Sequence, residues 1–357
     1  MFREDEARAN AIKPFSAPVM LEDVLDDDQI SRLFAAFRRY GPIDLQLGRH
    51  PDQRRGRLPE PVFRGELAIE GVCLDRELDD IFYSRKFMDA ARLYRNSKFC
   101  VPRQIAFNVN PPTYSQDPGH QDGPAFLGLW FIDTPTWLLY LMSRSRLFDQ
   151  YRLKMVQITH WFWRGPYGGF TYWPDGPLQQ PQRVAPPMWN RAIVAENQYM
   201  FHRAESSLPS VECRPMSGLT FDSIFSADPQ NGDGWRIQAG NETIARYRTT
   251  DLRWMLHWAC QLFDDIRDVR RFLDHEEDLT TDRVFDIFVS DLRKEGIKFT
   301  MPCDPLNDLE FRAVLKRHYD VATPVNHPPE APVASFPTAA EIRMADVTYS
   351  VNRFGPK

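Results

Sequence analysis

Three side chains of this sequence are of the types that bind a catalytic transition metal. His120 and Asp122 are separated by one residue, and His202 lies much later in the chain. Side chains two positions apart in extended chain point the same way, so a histidine nitrogen and a carboxylate oxygen at this spacing can bind one cation together. Two histidines and a carboxylate on one face of a metal leave its other positions open for a cosubstrate and O2. The sequence therefore predicts a mononuclear iron site with His120, Asp122 and His202 as its catalytic ligands.

The same three residues are open to other interpretations. A zinc hydrolase uses similar ligands, but it usually needs a nearby general base, which the sequence does not indicate. A non-catalytic, ligand-binding β-barrel is a second alternative, and three residues that never converge are a third. The remaining histidines are expected to be structural or solvated, with His160 and His257 in strands and His275 and His318 on helices.

Two helices are predicted before the first strand of the core. Ile30, Leu33 and Phe37 recur at helical spacing behind an acidic cap, and a second helix is predicted over residues 78–96. Between these helices, residues 42–64 are rich in Arg, Pro and Gly, and we expect them to form a surface loop.

The rest of the chain predicts a β-rich core followed by helices. Residues 101–110 alternate as a strand that leads to the loop carrying His120. After a helix predicted over 134–150, short strand-like segments separated by turn residues continue to about residue 262. Many short strands joined by such turns are typical of an antiparallel barrel or jelly roll. The predicted class is therefore α+β, with a barrel core flanked by N- and C-terminal helices.

Three motifs carry a family resemblance. The stretch QIAFNVNPPTYSQDPGHQDGPAF, followed by GGFTYWPDGP and NRAIVAENQYMFHRAES, resembles the strand, metal loop and later strands of the Fe(II)/2-oxoglutarate-dependent oxygenases. The branch it is most similar to contains the prolyl hydroxylases and phytanoyl-CoA hydroxylase-like enzymes, and MLEDVLDDDQISRLFAAFRRYG resembles their opening helix. The resemblance covers roughly residues 18–262. It implies a double-stranded β-helix core (a cupin-like jelly roll), ferrous iron, 2-oxoglutarate as cosubstrate and O2.

The resemblance also implies a division of the chain. Residues 1–262 are expected to form the oxygenase domain, with a helical N-terminal part over about 19–100 and the barrel core over about 101–262. Residues 263–357 are expected to be a helical extension with a Pro-rich tail, packed on the same domain. The C-terminal helices are expected to serve either as a lid or as a dimer contact, and the oligomeric state stays open.

The family needs a basic residue on its last core strand to pair with the distal carboxylate of 2-oxoglutarate, and the planar fork of arginine suits this role. We expect Arg253, at the head of LRWMLHWACQLF, to be this residue. The assignment requires an insertion near 206–242. Arg214 is the second choice, because Pro215 follows it and would interrupt a strand. Arg246 and Arg248 are weaker candidates.

Further pocket residues follow from the same resemblance. Asn108 and Asn110, on the strand before the metal loop, are expected to contact the cosubstrate. The Gly-rich segment after it supplies candidate substrate-binding aromatics, which core packing would explain equally well. These aromatics are Tyr167, Phe170, Tyr172 and Trp173.

The activity implied is that of a dioxygenase acting as a hydroxylase on an unactivated C–H bond, with succinate and CO2 as co-products. Family members that halogenate have a small residue in place of the carboxylate ligand, so Asp122 favours hydroxylation, desaturation or rearrangement. The expected substrate is a small organic or natural-product-like molecule.

Composition bounds the remaining possibilities. The formal net charge of −5 gives no basic footprint for nucleic acid, and no apolar stretch is long enough to span a bilayer. The charged N-terminus lacks the apolar core of a secretory signal. The five cysteines are odd in number and scattered, which argues against a disulfide framework or a zinc-thiolate site. We therefore expect a cytoplasmic protein with a small-molecule partner and no nucleic-acid or membrane partner.

Overall fold

The computed structural model describes residue 9 and residues 11–46, 58–209, 212, 214–321 and 323–334. Its helices are α1 (Asp27–Arg39), α2 (Asp79–Phe82), α3 (Arg85–Arg95), α4 (Thr136–Ser145), α5 (Ile266–Asp274), α6 (Thr281–Lys294) and α7 (Leu309–Tyr319). Its strands are β1 (Val19–Leu21), β2 (Ile43–Asp44), β3 (Phe63–Ile69), β4 (Val72–Cys73), β5 (Phe99–Asn110), β6 (Lys154–Trp163), β7 (Phe170–Trp173), β8 (Gln182–Val184), β9 (Met188–Ala195), β10 (Phe201–Ala204), β11 (Ile224–Ala227), β12 (Gly234–Ala239), β13 (Glu242–Arg248) and β14 (Arg253–Phe263).

The strands form three antiparallel sheets. The main sheet has the order β1-β9-β6-β14-β5-β3-β4, and β14 at its centre pairs with β5 and β6 along almost its whole length. A second sheet has the order β10-β7-β8, and a bridge between His120 and His202 extends it by one short segment. A third sheet, β13-β12-β11-β2, is built mostly from the chain between β10 and β14. Mixed helices and large antiparallel sheets agree with the predicted class.

Side-chain alternation gives the main sheet two different faces. On one face, Phe107 of β5 and Trp254, Leu256 and Trp258 of β14 are buried in the largest hydrophobic cluster. Helix α1 covers this face, and its Phe37 ring stacks on Trp254 with ring centroids 4.9 Å apart. The opposite face, called the polar face below, carries Asn108 and Asn110 of β5 and Arg253 and His257 of β14, and its Trp161 ring lies 5.1 Å from the Phe170 ring of the second sheet. The residues predicted to contact the cosubstrate, Asn108, Asn110 and Arg253, lie on that polar face.

Helix α1 begins at the predicted place because its end is capped. The Asp26 carboxylate accepts a hydrogen bond from the Gln29 backbone N–H at 2.8 Å, and the Gln29 side chain accepts one from the Asp26 N–H. This reciprocal capping box satisfies two donors that a helix otherwise leaves unpaired. Leu33 and Phe37 then follow on the buried side.

The C-terminal helices pack within the same chain. Phe288 of α6 and Leu315 of α7 share a hydrophobic cluster with Leu138 and Leu139 of α4. Helix α4 also reaches the metal loop, since the Tyr140 hydroxyl donates to the Gln121 carbonyl at 2.8 Å. Among the described residues, no helix is long and apolar enough to cross a membrane.

The N-terminal region differs from its prediction. Residues 42–64 were expected to be a loop, but β2 and the start of β3 lie there, while residues 47–57 fall outside the described residues. Gly65 interrupts the alternating pattern that would predict β3 from the sequence. A Cβ at this position would lie 2.5 Å from the Phe107 ring. Glycine therefore leaves room for the side chain of Phe107 on the neighbouring strand, which a local pattern does not reveal.

Burial of His160 in the core makes the stability of the fold depend on pH. This histidine is fully buried on the helix-covered side of β6, where its Nε2 lies 3.0 Å from Asn190 Oδ1. Burial lowers the pKa of His160 from 6.5 to about 3, so the folded state holds the neutral ring. The unfolded chain takes up a proton below its ordinary pKa, so this contribution to stability is complete above pH 6.5 and is lost as the pH falls towards 3.

We expect acidification from pH 6.5 to 5 to cost about 2 kcal/mol at this residue, from about 1.4 kcal/mol per pH unit. Urea unfolding of the wild type and of His160→Gln at pH 7 and pH 5 measures this loss. The variant keeps a donor for Asn190 but cannot titrate, so its unfolding free energy should depend less on pH. Equal losses in the two proteins would refute the assignment.

Candidate metal centre

Backbone pairing between distant segments brings the first two histidines together. The His120 N–H donates to the His202 carbonyl at 3.0 Å, and the His202 N–H donates back at 2.9 Å. The two imidazole rings consequently lie with centroids 4.5 Å apart. Asp122 is fixed nearby, because its N–H donates to the Asn197 carbonyl at 2.9 Å.

The three predicted ligands converge. One ligand atom from each of His120, Asp122 and His202 lies within 4.8 Å of the others, and no other such group occurs in the part of the chain that the structure describes. Asp122 Oδ1 lies 3.6 Å from His202 Nε2. His202 is buried, whereas the His120 side chain is about half exposed. The group is therefore open to ligands on one side.

Each of the two histidines is oriented by a contact to its Nδ1, which leaves Nε2 for a metal. His120 Nδ1 lies 2.5 Å from Asp117 Oδ2, and His202 Nδ1 lies 3.0 Å from the Met200 carbonyl. A ring that donates from Nδ1 presents the lone pair of Nε2 to a metal, and such partners also raise ligand basicity. The outer contacts therefore favour the tautomers that a metal site needs.

The carboxylate is kept ionised. Burial is the largest single influence on the pKa of Asp122 and would raise it, but the His257 and His202 imidazoles outweigh burial and hold that pKa well below its usual range. A carboxylate with two imidazoles is a donor set that suits ferrous iron, and its facial arrangement leaves positions for further ligands. The residues present thus fit the iron that the sequence implies.

Arg253 is a buried cation with no acidic partner among the described residues. It is 2% exposed at the start of β14, and its Nη2 donates to the Gly169 carbonyl at 3.3 Å. Burial lowers the pKa of Arg253 to about 10. Within the described residues Arg253 forms no ion pair, and the nearby Glu205 is engaged by Arg183 and Thr171. A buried charge of this kind favours binding of an anionic ligand.

The other arginine candidates lie elsewhere. Arg214 is exposed in a loop rather than on a strand. Arg246 and Arg248 belong to the third sheet, where they pair with Asp228 at 3.0 Å and with Asp251 at 2.8 Å. Arg253 is therefore the candidate that the structure places on the polar face of the main sheet.

Asn108 and Asn110 share that face with Arg253. In the pairing of β5 with β14, Asn110 lies opposite Arg253 and Asn108 lies opposite Met255. Among the described residues, the buried Oδ1 atom of Asn108 has no hydrogen-bond partner. Buried polar atoms are rarely left unpaired, so this amide is available to a bound ligand.

The four candidate aromatics separate into different positions. The Phe170 ring lies 5.5 Å from the His202 ring, and Phe170 and Tyr172 belong to one buried apolar cluster. Tyr167 is 44% exposed in the preceding loop. Trp173 does not face the metal group, because it alternates with Tyr172 on one strand and packs instead against Phe201 on the other side.

Two features of the site are missing from the sequence prediction. His257, expected to be structural, places its Nε2 3.2 Å from Asp122 Oδ2. Its position four residues after Arg253 on the same strand puts both on one face, a signal that the sequence does contain.

The second feature is that the segment 323–334 contacts Trp173 of β7 and Ser115 in the loop that leads to His120. The Trp173 indole donates to the Asn326 carbonyl at 3.2 Å, and the Ala334 N–H donates to the Ser115 carbonyl at 2.9 Å. Nothing in the sequence indicates this contact.

Comparison with known proteins gives distant structural likenesses. No family model matches the sequence, and no curated protein matches it. An oxidoreductase of the 2OG-Fe(II) oxygenase family from Burkholderia pseudomallei is similar at 10% identity, with a TM-score of 0.38 over 74% of this chain and 91% of that chain. A prolyl-4-hydroxylase from Pseudomonas putida is similar at 12% identity, with a TM-score of 0.36 over 68% of this chain and 92% of that chain.

A third similar structure is the non-heme alpha ketoglutarate dependent epimerase SnoN from nogalamycin biosynthesis. It has 11% identity and a TM-score of 0.39 over 79% of this chain and 98% of that chain.

Proposed function

We propose that this chain is a non-haem Fe(II)/2-oxoglutarate-dependent dioxygenase, an oxidoreductase that hydroxylates an unactivated C–H bond. One observation carries the proposal: the group formed by His120, Asp122 and His202 lies against the sheet face that carries the buried cation Arg253, which has no ion pair among the described residues, because His257 on that face is 3.2 Å from Asp122. His257, which contacts Asp122, is four residues from Arg253 on β14, or about 13 Å between Cα atoms at 3.3 Å per residue. An arginine side chain and a five-carbon diacid together can fill such a separation.

The winding of the chain supports a double-stranded β-helix, or jelly-roll, core. Successive segments alternate between the main and second sheets: β5, the His120 segment, β6, β7 with β8, β9, β10 and finally β14. In such a core the early metal loop and a late strand become neighbours, as His120 and His202 do here.

Each residue of the site has a role in this proposal. Bound ferrous iron would supply the O2 chemistry that couples conversion of 2-oxoglutarate to succinate and CO2 with oxidation of the substrate. His120, Asp122 and His202 would hold that metal, and Arg253 would bind the distal carboxylate of 2-oxoglutarate. Because Asp122 occupies the third protein-ligand position, hydroxylation is favoured over halogenation.

The side chains of the polar face beside the metal group form a wall whose chemistry supports a small, polar, natural-product-like substrate. Arg64 and Glu66 of β3 lie on the polar face, half-buried and 3.1 Å apart, and Gln104 donates to Glu66 at 2.8 Å. Between Glu66 and His257 the sheet carries only the small side chain of Ala106. A hydroxyl- or amino-bearing molecule fits this wall, whereas Phe170 and Tyr172 are engaged in core packing.

Anaerobic titration with Fe(II) and 2-oxoglutarate tests the proposed function. We expect the metal-to-ligand charge-transfer absorption of a chelated 2-oxoglutarate when both are present, and no such band with Fe(II) and succinate. A protein that binds Fe(II) but gives no band with 2-oxoglutarate would contradict the proposal and favour the zinc hydrolase or the non-catalytic barrel. Once the band is established, its shift on adding glucosamine rather than decanoate would support the polar substrate class, and the reverse would oppose it.

A further inference from the structure

We propose that His257 is a positioning residue that holds Asp122 as a one-oxygen ligand, by donating a hydrogen bond to the carboxylate oxygen that the metal does not use. The inference rests on the metal site of the proposed function. It concerns the protein's own side chains and does not depend on which substrate is oxidised.

The two oxygens of Asp122 have different neighbours. Oδ1 lies 3.6 Å from His202 Nε2, on the side of the ligand group, whereas Oδ2 lies 3.2 Å from His257 Nε2. His257 itself is outside the set of ligand atoms that lie within 4.8 Å of one another. The imidazole of His257 is therefore placed to contact the carboxylate and not the metal.

The surroundings of His257 fix this contact. Its residue pairs on both sides within the main sheet, with Ala106 and with Thr159, and it is 8% exposed. The contact to Asp122 is close but not aligned as a hydrogen bond, and Oδ2 is a buried atom with no other partner in the described chain. A modest rotation of the ring supplies the partner that Oδ2 lacks.

Asn197 completes the arrangement. Its carbonyl accepts from the Asp122 N–H at 2.9 Å, and its side-chain Nδ2 donates to the Thr159 hydroxyl at 3.2 Å. The same Nδ2 lies 3.5 Å from His257 Nε2, a longer contact than the 3.2 Å from Nε2 to Asp122 Oδ2. Asp122 is thus held by Asn197 at the backbone and by His257 at the carboxylate. Since the donor to Oδ2 must carry the proton, His257 is assigned the Nε2–H tautomer.

The consequence concerns coordination number. A carboxylate whose two oxygens are both free can bind a metal through both, which occupies a position that 2-oxoglutarate or O2 needs. A hydrogen bond to one oxygen opposes this, and losing such an outer partner typically lowers metal affinity roughly 10- to 100-fold.

Titration with Co(II) alone, without 2-oxoglutarate, tests the role of His257. We compare wild type, His257→Ala, His257→Gln and His160→Gln, recording the dissociation constant by calorimetry and the Co(II) d–d spectrum. The glutamine amide can place a donor near the position of Nε2. His160 is the matched control, because it is a buried histidine on the neighbouring strand that faces away from Asp122.

We expect His257→Ala to weaken Co(II) binding about 10- to 100-fold and to change the d–d spectrum, with His257→Gln and His160→Gln close to wild type. Wild-type affinity and spectrum in His257→Ala would overturn the proposal. So would a folded His257→Gln that is as weak as His257→Ala, since the donor would then not matter. If the Co(II) results hold but wild type gives no charge-transfer band with Fe(II) and 2-oxoglutarate, the proposed function fails while the role of His257 stands.

Discussion

His202→Ala is expected to abolish the Fe(II)–2-oxoglutarate charge-transfer absorption and all 2-oxoglutarate turnover. His202 is the buried member of the group, and its Nδ1 contact with the Met200 carbonyl holds its Nε2 towards the metal position. Losing a direct ligand should reduce metal affinity by more than the roughly 10- to 100-fold caused by losing an outer partner. Anaerobic titration followed by a succinate assay measures both losses, and His120→Ala should behave in the same way.

His275→Ala is the control for His202→Ala. His275 follows the last residue of α5, is well exposed and pairs with Asp278 at 2.8 Å. It is not a member of the ligand group. This variant should keep the wild-type band and turnover. If His120→Ala and His202→Ala both retain the band, the central assignment of the metal site is wrong.

Arg253→Ala is expected to raise the dissociation constant for 2-oxoglutarate about 100-fold while Fe(II) binding changes little. Removing one partner of a buried ion pair costs about 3 kcal/mol or more, and about 1.4 kcal/mol corresponds to a tenfold change in affinity. Arg253 is fully buried and forms no ion pair within the described residues. Titration of 2-oxoglutarate into the Fe(II)-loaded protein, followed by the charge-transfer band, measures this change.

Arg214→Ala is the matched control, because it removes the same side chain from the second candidate position. Arg214 lies in an exposed loop, so the affinity for 2-oxoglutarate should be unchanged. Arg253→Lys should fall between wild type and Arg253→Ala, since an ammonium keeps the charge but loses the planar fork. Weakening by Arg214→Ala with none by Arg253→Ala would assign the carboxylate to the other residue.

Sequence patterns placed the local parts of the site. The strand before the metal loop, the spacing of His120 and Asp122, and the alternation of β14 are all short-range features that a periodicity can express. Helix α1 was predicted for the same reason, because its cap and its apolar spacing lie within one segment.

Contacts across the sheets could not be read in this way. The place of β3 depends on Gly65 meeting Phe107, and the third sheet joins β2 to strands far along the chain. Strand pairing of this range is set by the packing of many side chains together, and a local pattern does not specify it. For the same reason, the sequence predicted an insertion near 206–242 but did not predict that strands from this region form a separate sheet.

The chain by itself determined which residues could bind a metal: two histidines and one carboxylate, two of them fixed as a local pair by their spacing. Only the tertiary structure brought His202 to His120, left Arg253 rather than Arg214 buried on the polar face, turned Trp173 away and set His257 against Asp122. The physical reason is that residue type and alternation are properties of a segment, whereas burial and the partner of a side chain depend on which strands become neighbours.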